Sequence, residues 1–535
     1  MKSKITGFVL APNPTHYTPE INPGLRTTGI SGQWGHLTLY STGGDIAPVR
    51  PGVWSLGFPA SDSLLEHNLL ISVTDDGVTI ENDWLGSIPV YFNKKENIVS
   101  TFPEACLTSD TEWDDEGLYL FLKYGFSAFN TSPFKAVKPL RYFAALQYSG
   151  DEISISEKPD PVLSYDFSEE AGESEILEQL GEQINQTLDS TTGPVVSPLS
   201  GGLDSRVINF LINETHKPRV HTYSYGASPN QHKSFETAIA RKVADNLGLK
   251  WKHVPLGDAY DYIDQWHDLF GFSTHMHGMY QIEFYKKIRE QLAPEEPAMM
   301  FSGIGGSVFE GDHLSSLNIK GPEDIYRLTF THDLNCKHFI PQKPTRAEQH
   351  FFDNNQQLIR NKRYFAVLMM RLKLPLLNYL VTLPAMLGIP SSAPFLNFDT
   401  AMKMLSLPQH RRNDRAWLKD FFTGHDLNYG FRFRSRHGMT RNTLNRQLFS
   451  NHEFQPLKET QWQPYVSPEK IKNINSRLNQ YDSLGAKIRF FFTTQRVIKE
   501  ILRRTGISNL FDRNLNCYFT LKALEKSVEK RAPKA

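Results

Sequence analysis

Two textures of apolar and polar positions divide the chain. Over about the first 165 residues, short apolar runs such as HLTLYSTGG, VWSLGF, NLLISVTDDGVTIEND and IPVYFNKKENIVSTF are separated by Gly, Pro, Asn and Asp. Runs of this kind, bounded by turn residues, predict strands and hairpins. One more hairpin is expected in ALQYSGDEISISEKPDP, from Ala145, turning at Gly150 and Asp151. The acidic FSEEAGESE, from Phe167, reads as an exposed connection and places a boundary near residues 165–172.

From Ser174 the pattern alternates between periods. SEILEQLGEQINQTL is helical, PVVSPL is a short apolar run, SRVINFLIN is helical, and RVHTYSYG is a strand. KSFETAIARKVADNLG follows as an amphipathic helix ended by Gly248, and KWKHVPL as a strand. Strands alternating with helices imply crossovers and a mostly parallel sheet. Pro198 lacks an amide hydrogen, so it must be the last residue of its strand or face an unpaired position. Beyond about Gly321 the segments read as helices with polar connections, and Ser467 to Ala535 is helical and basic near its end. The greasiest stretch, Leu372 to Pro390, is broken by a lysine and prolines and suits a buried helical region better than a membrane span.

Composition narrows the function classes. A chain of 535 residues suggests two to four domains at roughly 100–200 residues each. Lys plus Arg and Asp plus Glu both number 58, so no whole-molecule field favours nucleic acid or an anionic membrane. The three cysteines, Cys106, Cys336 and Cys517, have no CxxC spacing and support neither a disulfide framework nor a cysteine-ligated zinc site. The apolar run in MKSKITGFVLAPNP is shorter than the core of an export signal, and a cytoplasmic protein is expected.

The stretch richest in chemistry is Ser200-Gly201-Gly202-Leu203-Asp204-Ser205, between an apolar run and a helical one. A strand, a glycine turn and a helix start make a phosphate cradle: glycines allow close backbone approach and free amides face the anion. Asp204 is placed to hold magnesium against phosphates, while Ser200 and Ser205 offer hydroxyls. There is no Walker lysine. The bland alternative is a tight turn with Asp204 capping a helix.

This segment resembles the PP-loop signature of ATP pyrophosphatases as it occurs in the asparagine synthetase family. The resemblance continues in order. His221 to Gly226, with Tyr225, resembles the family's second strand, which implies main-chain contacts to adenine, and Glu236 takes the acidic position ahead of the next helix. Phe301 to Gly311 resembles the second glycine loop. Its Ser302 and Gly303 match the nucleotide-contacting pair, but Ile304 stands where the family has a catalytic glutamate and Ser307 where it has a magnesium-binding aspartate. Glu310 and Asp312 lie just past Ser307, as substitute carboxylates or as a solvated turn. Ala393 to Asp399 resembles the Val-Pro-Phe-Leu-Asp segment, RAWLK from Arg415 to Lys419 falls where the family has Lys-x-x-Leu-Arg, and Arg436 falls on a lysine that neutralises phosphates. Arg436 is one of five arginines, with Arg432, Arg434, Arg441 and Arg446, in a stretch readable as a nucleic-acid stripe, a solvated loop or a pyrophosphate-facing wall.

In the first part, Asn82 to Phe92 resembles a segment of class II glutamine amidotransferase domains, which implies an αββα sandwich of N-terminal-nucleophile type. The nucleophilic cysteine has no counterpart, since residue 2 is Lys2, and glutaminase activity is not expected. His275 and His277 read as polar loop residues and Cys106 as a buried thiol.

The expected architecture is therefore α+β followed by α/β. An amidotransferase-like domain spans residues 1–170, a parallel-sheet PP-loop domain of the adenine nucleotide α-hydrolase type spans 171–455, and a helical region spans 456–535. The resemblance implies ATP and magnesium as cofactors. It implies nucleotide contacts from Ser200, Gly201, Gly202, Asp204, Ser205, Tyr225, Glu236, Ser302 and Gly303, catalytic roles for Asp204, Lys419 and Arg436, and metal ligation by Asp204 and Glu310. Three readings stay open: a ligase joining a carboxylate to ammonia or a substrate amine, one half of a complex with a partner protein that supplies nitrogen or substrate, and a non-catalytic nucleotide-binding scaffold. Neither nucleic acid nor membrane is an expected partner.

Overall fold

The computed structural model describes residues 5–531 apart from 15–16, 23, 44–45, 229, 294–295, 312–316, 330–333, 431–443, 445–447, 449–451, 463–464 and 479–509. In its N-terminal part lie β1 (Ile5–Ala11), β2 (Leu25–Gly32), β3 (Gly35–Thr42), β4 (Val53–Ser55), β5 (Leu69–Val73) and β6 (Val78–Asn82). These are followed by β7 (Tyr91–Asn93), β8 (Ile98–Ser100), β9 (Val137–Pro139), β10 (Ala144–Tyr148) and β11 (Ile153–Glu157). They form two antiparallel sheets, ordered β2-β3-β1-β8-β7-β9 and β11-β10-β6-β5-β4. Both expected hairpins are present: Val73 pairs with Val78 across the Asp75-Asp76-Gly77 turn, and Tyr148 pairs with Ile153 across a turn holding Gly150 at φ 89°.

Alternation decides how the sheets stack. Phe8, Leu10, Leu37 and Leu39 of one sheet and Leu69, Ile71, Ile80 and Leu146 of the other share one apolar core. On the opposite face of the larger sheet, Val9, Tyr40 and Tyr91 join a second core with Trp266, Phe270, Met276 and Phe519 from later helices. The opposite face of the smaller sheet carries Thr79, Glu81, Gln147 and Ser154, the polar partners in the same period-two pattern.

Five parallel strands follow: β12 (Val195–Pro198), β13 (Val220–Ser224), β14 (Lys250–His253), β15 (Met299–Phe301) and β16 (Ser391–Ser392). Their spatial order is β14-β13-β12-β15-β16. Pro198 is the last residue of β12, and the ladder to β15 has already ended at Val196, so no amide is missed there. Helices Glu173–Asp189, Leu203–Phe210 and Phe235–Leu247 connect or flank these strands, and the last stops at Gly248 with φ 68°. Lys362–Met386, two consecutive helices, is long and apolar enough to cross a membrane, and 61% of its most apolar window is buried in the protein. The described C-terminal helices are Pro468–Leu478 and Leu510–Arg531.

The two parts are joined by buried polar and aromatic contacts. Trp84 is 0% exposed; its indole donates to Leu396 O at 2.9 Å and its ring lies 6.0 Å from Phe309 and 5.2 Å from Phe398. The Trp84 carbonyl accepts from Arg371 Nη2 at 2.8 Å, and Arg371 is itself paired with Asp160 at 2.5 Å. A second tie sets Lys123 against the buried Glu348 at 2.7 Å.

Trp84 leaves a turn organised by one carboxylate. Asp83 accepts from Leu85 N at 2.8 Å, Ser87 N at 3.1 Å, Asn68 N at 3.1 Å and the Ser87 hydroxyl. Burial, partly offset by these donors, pushes Asp83 up to about 6. Because Ser87 gives its proton to Asp83, its oxygen accepts from His67 Nδ1 at 2.6 Å, and burial pushes that imidazole down to about 4.

Two outcomes are expected. Truncating the indole in Trp84→Ala should cost about 3–5 kcal/mol in a denaturant titration, the range for large aromatic deletions from a core. His67 stays neutral when folded while the unfolded ring protonates below about 6.5, so its contribution is complete above that pH and lost as pH falls toward 4. The stability advantage of the wild type over His67→Gln should therefore shrink by roughly 1–3 kcal/mol between pH 7 and pH 4.5.

Candidate active site

Strand order locates the site before any side chain does. From β12 the chain adds β13 and β14 on one side of the sheet, then returns to add β15 and β16 on the other, so the order reverses between β12 and β15. In open α/β sheets the crevice at the carboxyl ends of strands flanking such a reversal is where ligands bind. The loops there are Leu199–Gly202 after β12 and Ser302–Gly305 after β15, the two glycine-rich segments singled out by sequence.

The first loop is held by its own serines. Ser200 Oγ accepts from Gly202 N at 3.1 Å, and Ser205 Oγ accepts from Ser200 N at 3.1 Å. Ser200 and Gly202 are exposed, so the cradle opens to solvent at the start of helix Leu203–Phe210. Behind it, a Cβ on Gly201 would come within 3.6 Å of Glu236 Cα, and Glu236 Oε2 is buried without a hydrogen-bond partner. Glu236 is thus brought to the loop.

Arg206, which the sequence reading passed over, ties the loop to a distant segment. It is 0% exposed and donates to Gly201 O at 3.1 Å, Tyr429 O at 3.1 Å and Leu427 O at 2.5 Å. Burial, with repulsion from Arg415, pushes its guanidinium down to about 10. Gly430 follows immediately, with φ 86°, and a Cβ there would strike Ile239 Cδ1 at 2.6 Å, the atom that also backs Gly201. Gly430 therefore lies beside the cradle. Arg436 itself, with Arg432, Arg434, Arg441 and Arg446, lies outside the described residues, as does Asp312.

The second loop presses against the first. A Cβ on Gly303 would sit 3.3 Å from Asp204 Cβ, and one on Gly306 would sit 3.0 Å from Asp204 Cβ and Cγ. Ser302 Oγ accepts from Ile304 N at 3.4 Å, and Ile304 is buried in the apolar core. A short helix, Gly306–Glu310, is bracketed by Gly305 at φ 88° and Gly311 at φ 102° and carries Glu310 inward.

Asp204 and Glu310 meet at one cation. Arg415 Nη1 donates to Asp204 Oδ1 at 2.9 Å and lies 3.5 Å from Glu310 Oε2. Glu310 is 0% exposed, and neither carboxylate oxygen accepts a well-formed hydrogen bond. Burial first, then the Asp204 charge, hold its carboxyl well above the usual range, with Arg415 partly offsetting them. Arg415 reaches this position because Asp414 and Arg415 both adopt left-handed backbone, φ 53° and 56°, at roughly 1–2 kcal/mol each. Three residues earlier, Arg412 is wholly buried with no acceptor for its guanidinium, which burial pushes down to about 10.

Lys419, expected in a catalytic role, extends to Asp414 at 2.5 Å near the surface, and Arg415 is the member of RAWLK that reaches Asp204. Tyr225 commits its side chain to helix Tyr280–Arg289, with ring contacts of 5.6 Å to Tyr280 and 5.2 Å to Phe284, leaving its main chain as the part turned to the strand end. His275 caps a turn by accepting from His277 N at 3.0 Å, and Cys106 is buried against Tyr91 O.

Residues 175–314, which contain both glycine loops and Glu310, match the family model described as asparagine synthase. Over that stretch the chain is similar to the asparagine synthase family, one of ATP-dependent amide-forming ligases. No curated protein sequence matches the chain. The matched segment ends before Arg415, so the cation between its two carboxylates comes from outside it.

The charge balance gives a test. Glu310→Gln replaces a carboxyl that burial and the Asp204 charge hold well above the usual range with a neutral group of the same shape, so the melting temperature of the ligand-free protein is expected to change little. If Glu310 takes part in nucleotide binding, the same variant should bind magnesium-ATP at least tenfold more weakly in calorimetry at a nearly unchanged melting temperature.

Proposed function

We propose that this protein is an ATP-dependent ligase that activates a carboxylate as its adenylate and transfers the acyl group to ammonia or to an amine of the substrate. The observation that supports this most strongly is the meeting of Asp204 and Glu310, from two glycine loops, at the strand-order reversal of a parallel sheet. Glu310 is a buried carboxylate beside a second carboxylate, with Arg415 Nη1 3.5 Å away, and such a pair fits a hard divalent cation that takes one or two carboxylates and completes its shell with phosphate oxygens and water.

In this reading Ser200, Gly201, Gly202 and Ser205 face the phosphates with backbone amides and hydroxyls at a helix start. The main chain at Tyr225, together with Ser302 and Gly303, positions the nucleotide, and Glu236 backs the cradle. Asp204 and Glu310 would hold magnesium, which would supply charge neutralisation at the phosphates. Arg415 keeps the two carboxylates together and presents a fixed positive charge to the crevice. Arg436, at the position of the family's lysine, would add a charge that cannot act as a proton donor, since a guanidinium stays protonated. Catalysis then rests on positioning and electrostatic stabilisation, without a covalent protein intermediate.

The stacked antiparallel sheets, with helices packed on one of them, support an amidotransferase-like domain of the N-terminal-nucleophile type over residues 1–170. The parallel sheet supports a PP-loop domain over 171–455. A partner protein would then be one source of nitrogen or substrate. One observation favours a second reading, a non-catalytic nucleotide-binding scaffold: Ile304 is buried in the core where the family has a catalytic glutamate, and Ser307 brings no carboxylate.

Calorimetric titration of magnesium-ATP into the wild type and Asp204→Ala, with AMP and pyrophosphate assayed against a panel of acids plus ammonia, separates these. The expected result is binding weakened at least tenfold by Asp204→Ala, about 1.4 kcal/mol or more, and AMP formed with at least one acid. Binding without AMP from any acid would favour the scaffold, and no binding at millimolar ATP would remove both readings.

A further inference from the structure

Cys336 and Cys517 are 181 residues apart in sequence, and their Sγ atoms lie 2.6 Å from each other. Non-bonded heavy atoms settle at about 3.5–4 Å, so two separate thiols are not at rest at this distance. Both side chains are 0% exposed, and Cys336 Sγ also lies 3.5 Å from Cys517 O. The third cysteine, Cys106, is held on Tyr91 O and has no part in the pair.

What the two residues are attached to gives the contact its meaning. Cys336 is fixed to the N-terminal part, since its amide donates to Leu122 O at 2.8 Å in helix Asp115–Tyr124. Cys517 lies in helix Leu510–Arg531, which docks through polar contacts made by residues that follow Cys517. Tyr518 Oη donates to Gln455 O at 2.9 Å, Ser527 Oγ donates to Glu104 Oε1 at 2.6 Å, and Lys526 and Lys530 pair with Asp264 and Asp268. The stretch between the two cysteines contains Arg415 and the arginine-rich segment.

We propose that Cys336 and Cys517 form an intramolecular disulfide that fastens the C-terminal helix to the body of the protein and closes a covalent loop around the segment supplying Arg415. The oxidant is a low-molecular-weight disulfide. One cysteine sulfur, as its thiolate, attacks that disulfide and releases one small thiol, giving a mixed disulfide. The other cysteine's thiolate displaces the second small thiol, so two protein thiols and one disulfide become one protein disulfide and two small thiols, which carry away both protons. Exchange requires thiolate and access, and burial, followed by the neighbouring Cys517, holds the Cys336 thiol well above its ordinary value. The bond therefore forms while the helix is undocked or as the chain folds, and is shielded once the helix is seated.

The test is to refold the full chain with oxidised and reduced glutathione, quench in acid, alkylate under denaturing conditions, and measure intact mass and non-reduced peptide maps. One alkylated cysteine, Cys106, and a peptide pair joined through Cys336 and Cys517 that separates on reduction are the expected result. Three alkylated cysteines after oxidative refolding, or a bond involving Cys106, would overturn the assignment. Reduction should lower the melting temperature of the oxidised wild type by several degrees and leave Cys517→Ser and Cys336→Ala unchanged. An oxidised wild type whose melting temperature ignores reductant would overturn the fastening role. The mass measurement needs neither a variant to fold nor ATP to bind, so its failure is distinct from failure of the ligase reading.

Discussion

The structure depends on an indole from the first part seated in the wall of the second. Trp84 is closed off from solvent, bonded to Leu396 O and stacked on Phe309. Phe309 is the residue before Glu310, and Leu396 follows Phe395, whose ring backs Gly306. One side chain thus supports both the helix that carries Glu310 and the segment that presses Gly306 onto Asp204. A buried carboxylate needs such a scaffold, because a loose wall would admit water and remove the proximity that raises its affinity for a cation.

The same accounting of buried charge runs through the site. Arg206, Arg412, Arg415 and Glu310 all lie in the region between the cradle and the helices after β16. Arg206 spends its hydrogen bonds on carbonyl oxygens of three separated residues, which makes it a clasp between the cradle and the entrance to the arginine-rich stretch. Arg415 is shared by two carboxylates and reaches them only through two consecutive left-handed residues. Local strain with incompletely satisfied charge is the pattern expected where a ligand completes the electrostatics.

Much of this was legible in sequence, for identifiable reasons. The hairpins over Leu69–Asn82 and Ala144–Glu157 follow from period-two alternation around Asp-Gly and Gly-Asp turns, and the helix ending at Gly248 follows from its capping glycine. Pro198 at the end of β12 follows from its missing amide. The cradle from Ser200 to Ser205 was visible because all its groups are contiguous. Arg206 was overlooked, and Arg415 was not singled out within RAWLK, for a common reason: neither contact is local. Which basic residue of RAWLK reaches Asp204 depends on the left-handed turn at Asp414, which nothing in the composition of the segment announces.

The sequence by itself determined the periods, the turns, the two glycine loops and the loss of acids at Ile304 and Ser307, because backbone stereochemistry and hydrophobic alternation act over a few residues. Tertiary structure alone decided that Glu310 faces Asp204, that Arg415 joins them, that Trp84 braces the site and that Cys336 lies against Cys517. Each of these pairs residues more than a hundred positions apart, and their approach is set by the packing of shared cores, for which local pattern carries no register.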